Sequence, residues 1–140
     1  MTVTRLAHAC LYSTDLDRTE RFYCGILGLT LKFPFMKGET RVGFYLEISD
    51  RQFIEVFHRD TAPKNLEPAI GHICLETDDI QALTLRLHDH HIPTATPAPV
   101  LGADDSWQIW CQDPDGTSIE FHQYTPASRQ HTGHPCLVNW

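Results

Sequence analysis

Two copies of one short pattern supply the residues with the clearest metal-binding chemistry in this chain. The first copy opens at His8 and the second at His72, 64 positions further on. Each copy later contains an Ile-Glu pair, which ends at Glu55 in the first and at Glu120 in the second, 65 positions apart. Imidazole nitrogens and carboxylate oxygens are common ligands of divalent ions. The repeat therefore predicts a symmetric metal site built from two histidines and two glutamates.

Strand-like alternation indicates what surrounds these residues, because side chains two positions apart share one face of a strand. The same-face neighbours are Cys10 and Tyr12 beside His8, Phe53 and Phe57 beside Glu55, and His122 and Tyr124 beside Glu120. A carboxylate among apolar side chains is costly to keep ionised, whereas a bound divalent ion neutralises it. We also expect a substrate pocket lined by Tyr12, Phe53, Phe57, Trp107, His122 and Tyr124.

Taken singly, each of the four candidate ligands has an ordinary structural explanation. A strand histidine is more often hydrogen-bonded than metal-bound, and a strand glutamate more often faces water. The same residue types at equivalent positions of a repeat are harder to explain in this way. Structural or solvated roles are assigned to three histidines at a helix end, His88, His90 and His91. The same roles are assigned to three residues of the tail, His131, His134 and Cys136.

The order of predicted elements is the same in both halves, namely a strand, a helix and three strands. In the first half the helix is expected to end at Gly28. In the second half we expect a helix over 79–90, a short strand over 94–96, and two strands joined by a turn at 113–116. This order predicts an α+β fold of two tandem βαβββ modules that form a curved mixed sheet around a metal-binding cleft. We divide the single domain 1–140 into module one (4–58), a linker (59–69), module two (70–124) and a tail without an element (125–140).

Composition limits the classes of partner. The chain has 140 residues, with 11 Lys plus Arg against 18 Asp plus Glu, and a formal net charge of −7. The basic residues are scattered, so nucleic acid and anionic membranes are poor partners, and a small-molecule substrate is expected. The opening residues lack the apolar run of a signal peptide and no stretch is long enough to span a bilayer, so we expect a cytoplasmic protein. The five cysteines have no zinc-knuckle spacing and are expected to be reduced.

In their order and spacing, the motifs resemble those of the vicinal oxygen chelate superfamily of glyoxalases, bleomycin resistance proteins and dioxygenases, and are most similar to the glyoxalase I pattern. The similarity covers residues 4–124. It rests on His8 followed by Asp15-Leu16, on Phe22-Tyr23, Leu27-Gly28-Leu29, Ile54-Glu55 and Gly71-His72-Ile73, and on Asp113-Pro114-Asp115-Gly116 before Ile119-Glu120. The resemblance implies that His8, Glu55, His72 and Glu120 bind one divalent metal ion, which is Ni, Co, Zn, Mn or Fe. It also implies a homodimer with shared metal sites.

The resemblance further implies a lyase or isomerase similar to lactoylglutathione lyase. Its substrate is expected to be an α-hydroxy carbonyl or a hemithioacetal, which reacts through an enediolate. Glu120 is expected to be the base and Glu55 its symmetric partner. The family's glutathione contacts do not carry over, because Tyr12 stands where the family has Arg and Arg59 where it has Asn. The segment 104–107 is acidic where a basic residue is expected.

Two other functions stay open at this point. An Fe(II) extradiol dioxygenase of the same superfamily binds its metal through two histidines and one carboxylate, which leaves positions for a catechol and O₂. Glu55 argues against it, since a fourth ligand removes one of those positions. A metal-free protein that sequesters a drug or metabolite is the other alternative, with a cleft lined by Phe53, Phe57, Trp107, Trp110 and Tyr124. The presence of all four candidate ligands argues against it.

Overall fold

The helices and strands fall into two compact units, Met1–Leu66 (unit 1) and Glu67–Trp140 (unit 2). The computed structural model describes residues 4–61 and 69–138, so most of the expected linker lies outside the described residues. Each unit contains one four-stranded mixed sheet. The α+β class and the doubled βαβββ order predicted from the sequence are confirmed.

Unit 1 is built around a parallel pair of strands. Its strands are β1 (His8–Ser13), β2 (Thr30–Lys37), β3 (Thr40–Ser49) and β4 (Gln52–His58). Their order in the sheet is β1-β4-β3-β2, with β1 parallel to β4 and the other neighbours antiparallel. A tight turn cannot join parallel strands, so a helix and the β2–β3 hairpin make the connection from β1 to β4.

The helix after β1 widens along its length. It begins as α1 (Leu16–Glu20) and continues as a π-helical stretch over Arg21–Ile26. Two adjacent aromatic side chains of this stretch, Phe22 and Tyr23, are both essentially fully buried. Gly28, with φ of +80°, follows the end of the helix as predicted.

Unit 2 repeats the plan with a longer helix. Its elements are β5 (Ile73–Glu76), α2 (Ile80–Asp89), β6 (Val100–Leu101), β7 (Trp107–Gln112), β8 (Ser118–Gln123) and α3 (Arg129–Thr132). The strand order is β5-β8-β7-β6, and β5 is parallel to β8. Asp79 caps α2, since its side chain accepts a hydrogen bond of 2.9 Å from the backbone N–H of Ala82. No helix in the described part of the chain has the length and apolar character needed to cross a membrane.

The edge strand of unit 2 differs from the sequence prediction. The expected strand over 94–96 is reduced to a single bridge between Thr94 and Cys111, and the edge strand is β6 instead. Pro97 and Pro99 have no backbone N–H groups to donate to a ladder, so regular pairing begins only after them.

The tail also differs, because it contains the short helix α3 where no element was expected. Ser128, directly before α3, is fully buried, and its hydroxyl accepts a hydrogen bond from Ser106 and donates one to the Asp105 carbonyl, both 3.0 Å long. Gly133, with φ of +67°, ends the helix. These anchoring bonds join positions 22 and 23 residues apart, so local sequence patterns do not reveal them.

The core of each unit lies on one face of its sheet. Ile54 and Val56 of β4, and Ile119 and Phe121 of β8, are at most 3% exposed. Since successive residues of a strand point to opposite faces, the glutamates between them lie on the other face. The hydrophobic alternation of β4 and β8 therefore determines which side of each sheet carries the carboxylate.

Leu87 and Leu85 of α2 provide a matched test of the unit 2 core. Leu87 is fully buried and Leu85 is 64% exposed. We expect Leu87→Ala to lower the free energy of unfolding by about 2–5 kcal/mol, because it removes buried methyl groups and leaves a cavity. Leu85→Ala should change it by less than about 0.5 kcal/mol. Urea unfolding of both variants measures the difference, and equal losses would contradict this description of the core.

Candidate metal centre

The first candidate pair, His8 and Glu55, lies on adjacent parallel strands of unit 1. Cys10 of β1 is the direct partner of Glu55 on β4, and His8 lies two residues before Cys10 on the same face. The His8 Nε2 atom lies 3.8 Å from Glu55 Oε2. The other ring nitrogen, Nδ1, lies 3.0 Å from the hydroxyl of Tyr45. In the tautomer whose Nδ1 donates to the Tyr45 oxygen, Nε2 presents a lone pair toward the carboxylate.

The second candidate pair, His72 and Glu120, occupies the equivalent place in unit 2. His72 directly precedes β5, and Glu120 is the direct partner of Cys74. The His72 Nε2 atom lies 3.2 Å from Glu120 Oε2. The Glu120 side chain is 9% exposed, half the 18% of Glu55. The second carboxylate is thus the less hydrated of the two.

An aromatic side chain flanks the histidine in both units, and neither was predicted from the sequence as a histidine partner. Tyr45 is the direct partner of Glu55, and its ring contacts His8 edge-on at 5.8 Å between centroids. Trp110 is the direct partner of Glu120 and contacts His72 edge-on at 4.6 Å. The signal was present in the repeat, since positions 45 and 110 are both aromatic and lie 65 residues apart, as the glutamates do.

A thiol accompanies each carboxylate. Partial burial, a hydrogen bond to Glu55 and its negative charge raise the pKa of Cys10 above its ordinary value. Partial burial and the neighbouring Glu120 carboxylate raise the pKa of Cys74 to about 12. Both thiols are therefore protonated at neutral pH in the metal-free protein, and each can donate its S–H to the adjacent carboxylate.

The donor atoms of both pairs fit a divalent metal ion. Two ligand atoms at right angles around one ion, with bonds of about 2.1 Å, lie about 3 Å apart. The 3.2 Å separation in the second pair is close to this value, and the 3.8 Å separation in the first needs only a small side-chain rotation. Within the described residues, neither Glu55 nor Glu120 is ion-paired to a lysine or arginine. Each pair thus offers one nitrogen donor and one anionic oxygen donor.

The predicted pocket residues Phe53 and Phe57 lie on the Glu55 face of β4 within an aromatic cluster. The Phe53 ring is 5.1 Å from Tyr45, and the Phe57 ring is 4.7 Å from Phe35. Phe33 stacks on Tyr45 at 4.8 Å. The rings on β2 and β3 extend the apolar surface beside the first pair beyond what strand parity predicted.

Tyr12, another predicted pocket residue, carries a cation on its ring. The Arg59 guanidinium lies 3.3 Å from the centre of the Tyr12 ring, within stacking distance. Tyr12 shares the face of His8, and the positive charge of Arg59 acts to lower the pKa of Cys10. The structure therefore brings a positive charge to the face that carries the first pair.

In unit 2, the predicted residues His122 and Tyr124 share the face of Glu120. The His122 Nε2 atom lies 2.9 Å from Glu120 Oε1, but out of line for a hydrogen bond. Among the described residues, neither ring nitrogen of His122 has a hydrogen-bond partner. Tyr124 contacts the His122 ring edge-on at 5.8 Å, and partial burial together with nearby negative charges raises the pKa of the Tyr124 hydroxyl.

Trp107, the last predicted pocket residue, lies on the opposite face of the unit 2 sheet. Its direct partner is Gln123, an odd number of positions from Glu120, so the two side chains point to different sides. The structure does not bring Trp107 to the carboxylate face. Trp110 occupies that place instead, as the direct partner of Glu120.

The other histidines have ordinary surroundings. His88 Nε2 lies 2.8 Å from the Thr94 hydroxyl, His131 contacts the Tyr124 ring at 5.3 Å, and His134 and Cys136 are exposed. None of these belongs to a group of three metal-type donors in the part of the chain that the structure describes.

Comparison with known proteins shows sequence similarity over most of the chain. Residues 5–121 match the sequence model of the Glyoxalase/Bleomycin resistance protein/Dioxygenase superfamily. The probable lactoylglutathione lyase of Synechocystis sp. is 30% identical over 123 residues, which cover 84% of this chain and 94% of the relative. The lactoylglutathione lyase of Neisseria meningitidis serogroup A is 29% identical over 124 residues, with coverage of 85% and 90%.

Structural comparison agrees on the fold. The crystal structure of a glyoxalase family protein from Enterococcus faecalis matches with a TM-score of 0.73 at 20% identity, covering 87% of this chain and 99% of that one. Because the family match extends through both units, as far as the strand that carries Glu120, the chain belongs to the Glyoxalase/Bleomycin resistance protein/Dioxygenase superfamily.

Proposed function

We propose that this protein is a metal-dependent lyase or isomerase of the glyoxalase I type. In this proposal the chain acts as one domain, and one divalent ion is bound by His8, Glu55, His72 and Glu120. The observation that carries it is that, in or directly before the first strand of each parallel pair, a histidine nitrogen lies 3.8 or 3.2 Å from a carboxylate oxygen of the other strand. Relatives named as lactoylglutathione lyases support the reaction class.

The proposed roles of the two glutamates differ because their surroundings differ. A divalent ion bound there supplies a Lewis acid for two neighbouring oxygens of a substrate. Glu120 removes the proton from the substrate carbon that lies next to the carbonyl group, and it returns the proton to the former carbonyl carbon. Glu55 is its symmetric partner. The lower exposure of Glu120 supports this order, since a site closed to water limits loss of the abstracted proton before it is returned.

The proposed substrate carries an acidic group that Arg59 binds. The guanidinium lies over the Tyr12 ring, which orients it and leaves its N–H edges available to a carboxylate. Arg59 is exposed, so a substrate can reach it. This arrangement supports a positive contact supplied from the end of β4, in place of the arginine that the glyoxalase I pattern has at position 12.

We further propose a homodimer in which each metal site takes one pair from each chain. Support comes from the outer strands of the two sheets, which expose large apolar side chains. Leu31, Phe33 and Met36 of β2, and Val100 and Leu101 of β6, are each at least 39% exposed. Edge strands with this character are suited to burial against a second copy.

Glu120→Gln tests the proposed base. We expect kcat for conversion of the methylglyoxal–glutathione hemithioacetal to fall by at least about 100-fold, because the amide cannot accept the proton. Activity and metal content are measured after loading with Ni, Co, Zn, Mn or Fe. Glu39→Gln, in the exposed β2–β3 turn, is the control and should leave kcat unchanged. Full turnover by metal-loaded Glu120→Gln would rule out Glu120 as the base, and wild-type protein that binds no metal and turns nothing over would favour a sequestering protein.

Arg59→Met tests the acidic-substrate contact, because it keeps a long side chain on Tyr12 and removes the charge. We expect KM for the glutathione hemithioacetal to rise about tenfold, equivalent to about 1.4 kcal/mol, with little change in kcat. KM for the hemithioacetal of uncharged 2-mercaptoethanol should not change. Arg51→Met, in the exposed β3–β4 turn, is the matched control. An equal rise with both thiols would show that Arg59 does not select for charge.

Subunit mixing tests whether the two pairs meet between chains. One variant carries His8→Ala and Glu55→Ala, the other His72→Ala and Glu120→Ala, and each is expected to be inactive alone. After subunit exchange, about half of the dimers are mixed and each has one intact site, so about a quarter of wild-type activity should return. Sedimentation checks the dimer. No recovery from verified mixed dimers would show that both pairs of a site come from the same chain.

A further inference from the structure

We propose that unit 2 carries a second, thiolate-containing metal site formed by Cys74, Glu120 and His122, and that it takes Zn²⁺ or Co²⁺. One donor atom from each of these residues lies within 4.8 Å of the other two. Strand pairing brings them together, since Cys74 is the direct partner of Glu120 and His122 follows two residues later on the same face. Bonds of about 2.0–2.3 Å require side-chain shifts of only about 1 Å to gather all three on one ion.

The state of His122 is the independent observation that points to a ligand. Its side chain is nine-tenths buried, and neither ring nitrogen has a hydrogen-bond partner within the described residues. Its Nε2 atom lies 2.9 Å from Glu120 Oε1, without hydrogen-bond alignment. A buried polar group without a partner is costly, and a shared metal ion would satisfy both the imidazole and the carboxylate.

The site is a property of unit 2 and not of the repeat. The equivalent positions in unit 1 are Cys10, Glu55 and Phe57, and the phenyl ring has no donor atom. Unit 1 therefore has the thiol and the carboxylate without the third ligand. If the side chain at position 122 served only for packing, phenylalanine would serve equally well, as it does at position 57 of unit 1. A metal site requires the histidine.

Glu120 links this site to the proposed four-ligand centre through its two oxygens. Oε2 faces His72 at 3.2 Å, and Oε1 faces His122 at 2.9 Å. The two sites thus use different sides of one carboxylate. They also differ in chemistry, because a thiolate favours Zn²⁺ or Co²⁺ over harder ions such as Mn²⁺. Cys74 is only partly buried, which leaves a path for the ion.

Cobalt titration of the reduced full-length protein tests the proposal. Co²⁺ bound to a thiolate produces a charge-transfer absorption in the near ultraviolet, which imidazole and carboxylate ligands do not give. We expect this band in wild-type protein and its loss in Cys74→Ser. His122→Phe, which installs the residue found at the equivalent position of unit 1, should weaken Co²⁺ binding at least about tenfold. Circular dichroism checks that both variants are folded.

Three control variants distinguish this site from cobalt binding elsewhere on the chain. Cys10→Ser and Cys136→Ser should keep the band, since neither thiol belongs to the site. The double variant His8→Ala, Glu55→Gln should also keep it, because the proposed four-ligand centre is then disrupted while the three unit 2 ligands remain. Absence of the band in wild-type protein, its persistence in Cys74→Ser, or its loss in Cys136→Ser would overturn the proposal without bearing on the four-ligand centre.

Discussion

Parallel pairing of the first and last strands of each unit is the constraint on which the candidate metal centre depends. It joins β1 to β4 and β5 to β8, and so brings a histidine beside a glutamate that lies more than forty positions away in the chain. A shift of one residue in either register would turn the carboxylate into the core. Buried residues on both sides of each glutamate prevent this, because the same shift would expose Ile54 and Val56, or Ile119 and Phe121, to water.

The two units keep the same scaffold and differ in what surrounds the carboxylate. Tyr45 shares a hydrogen bond with His8 Nδ1 and also contacts the His8 ring, whereas Trp110 contacts the His72 ring edge-on. The carboxylate of unit 2 is the more buried of the two. The repeat thus accounts for the matching donors, and the different neighbouring side chains give the two glutamates different surroundings.

The difference at Phe57 and His122 has the largest chemical consequence. In unit 1 the phenyl ring joins an aromatic cluster with Phe35 and supports the sheet face. In unit 2 the imidazole is buried against Glu120 without a hydrogen bond. A polar group lies there although the equivalent position of unit 1 is apolar, and its burial without a hydrogen bond costs stability. The presence of His122 is the reason that we place the second, thiolate-containing metal site in unit 2.

The fold and the ligand faces could be predicted because they follow from period-two alternation and from the repeat. Strand parity placed Glu55 among Phe53 and Phe57 correctly, since these residues belong to one strand. Strand parity could not predict which residues of β7 lie opposite which residues of β8, because the register between strands depends on the turn that joins them. Trp107 and Trp110 were therefore both expected at the cleft, although only Trp110 lies on the carboxylate face. Long-range contacts were the other limit, since the hydrogen bonds of Ser128 and the stacking of Arg59 on Tyr12 join distant positions that have no local pattern.

If one metal ion is bound by both His–Glu pairs, equilibrium titration with Mn²⁺ followed by electron paramagnetic resonance tests that binding most directly. Mn²⁺ suits imidazole and carboxylate ligands and is a poor ion for thiolates. We expect one tightly bound ion per chain. It should be lost equally in two double variants, one with His8→Ala and Glu55→Gln and the other with His72→Ala and Glu120→Gln. The single variant His88→Ala should retain it. Two independent ions per chain, or full binding after removal of either pair, would contradict a single shared centre.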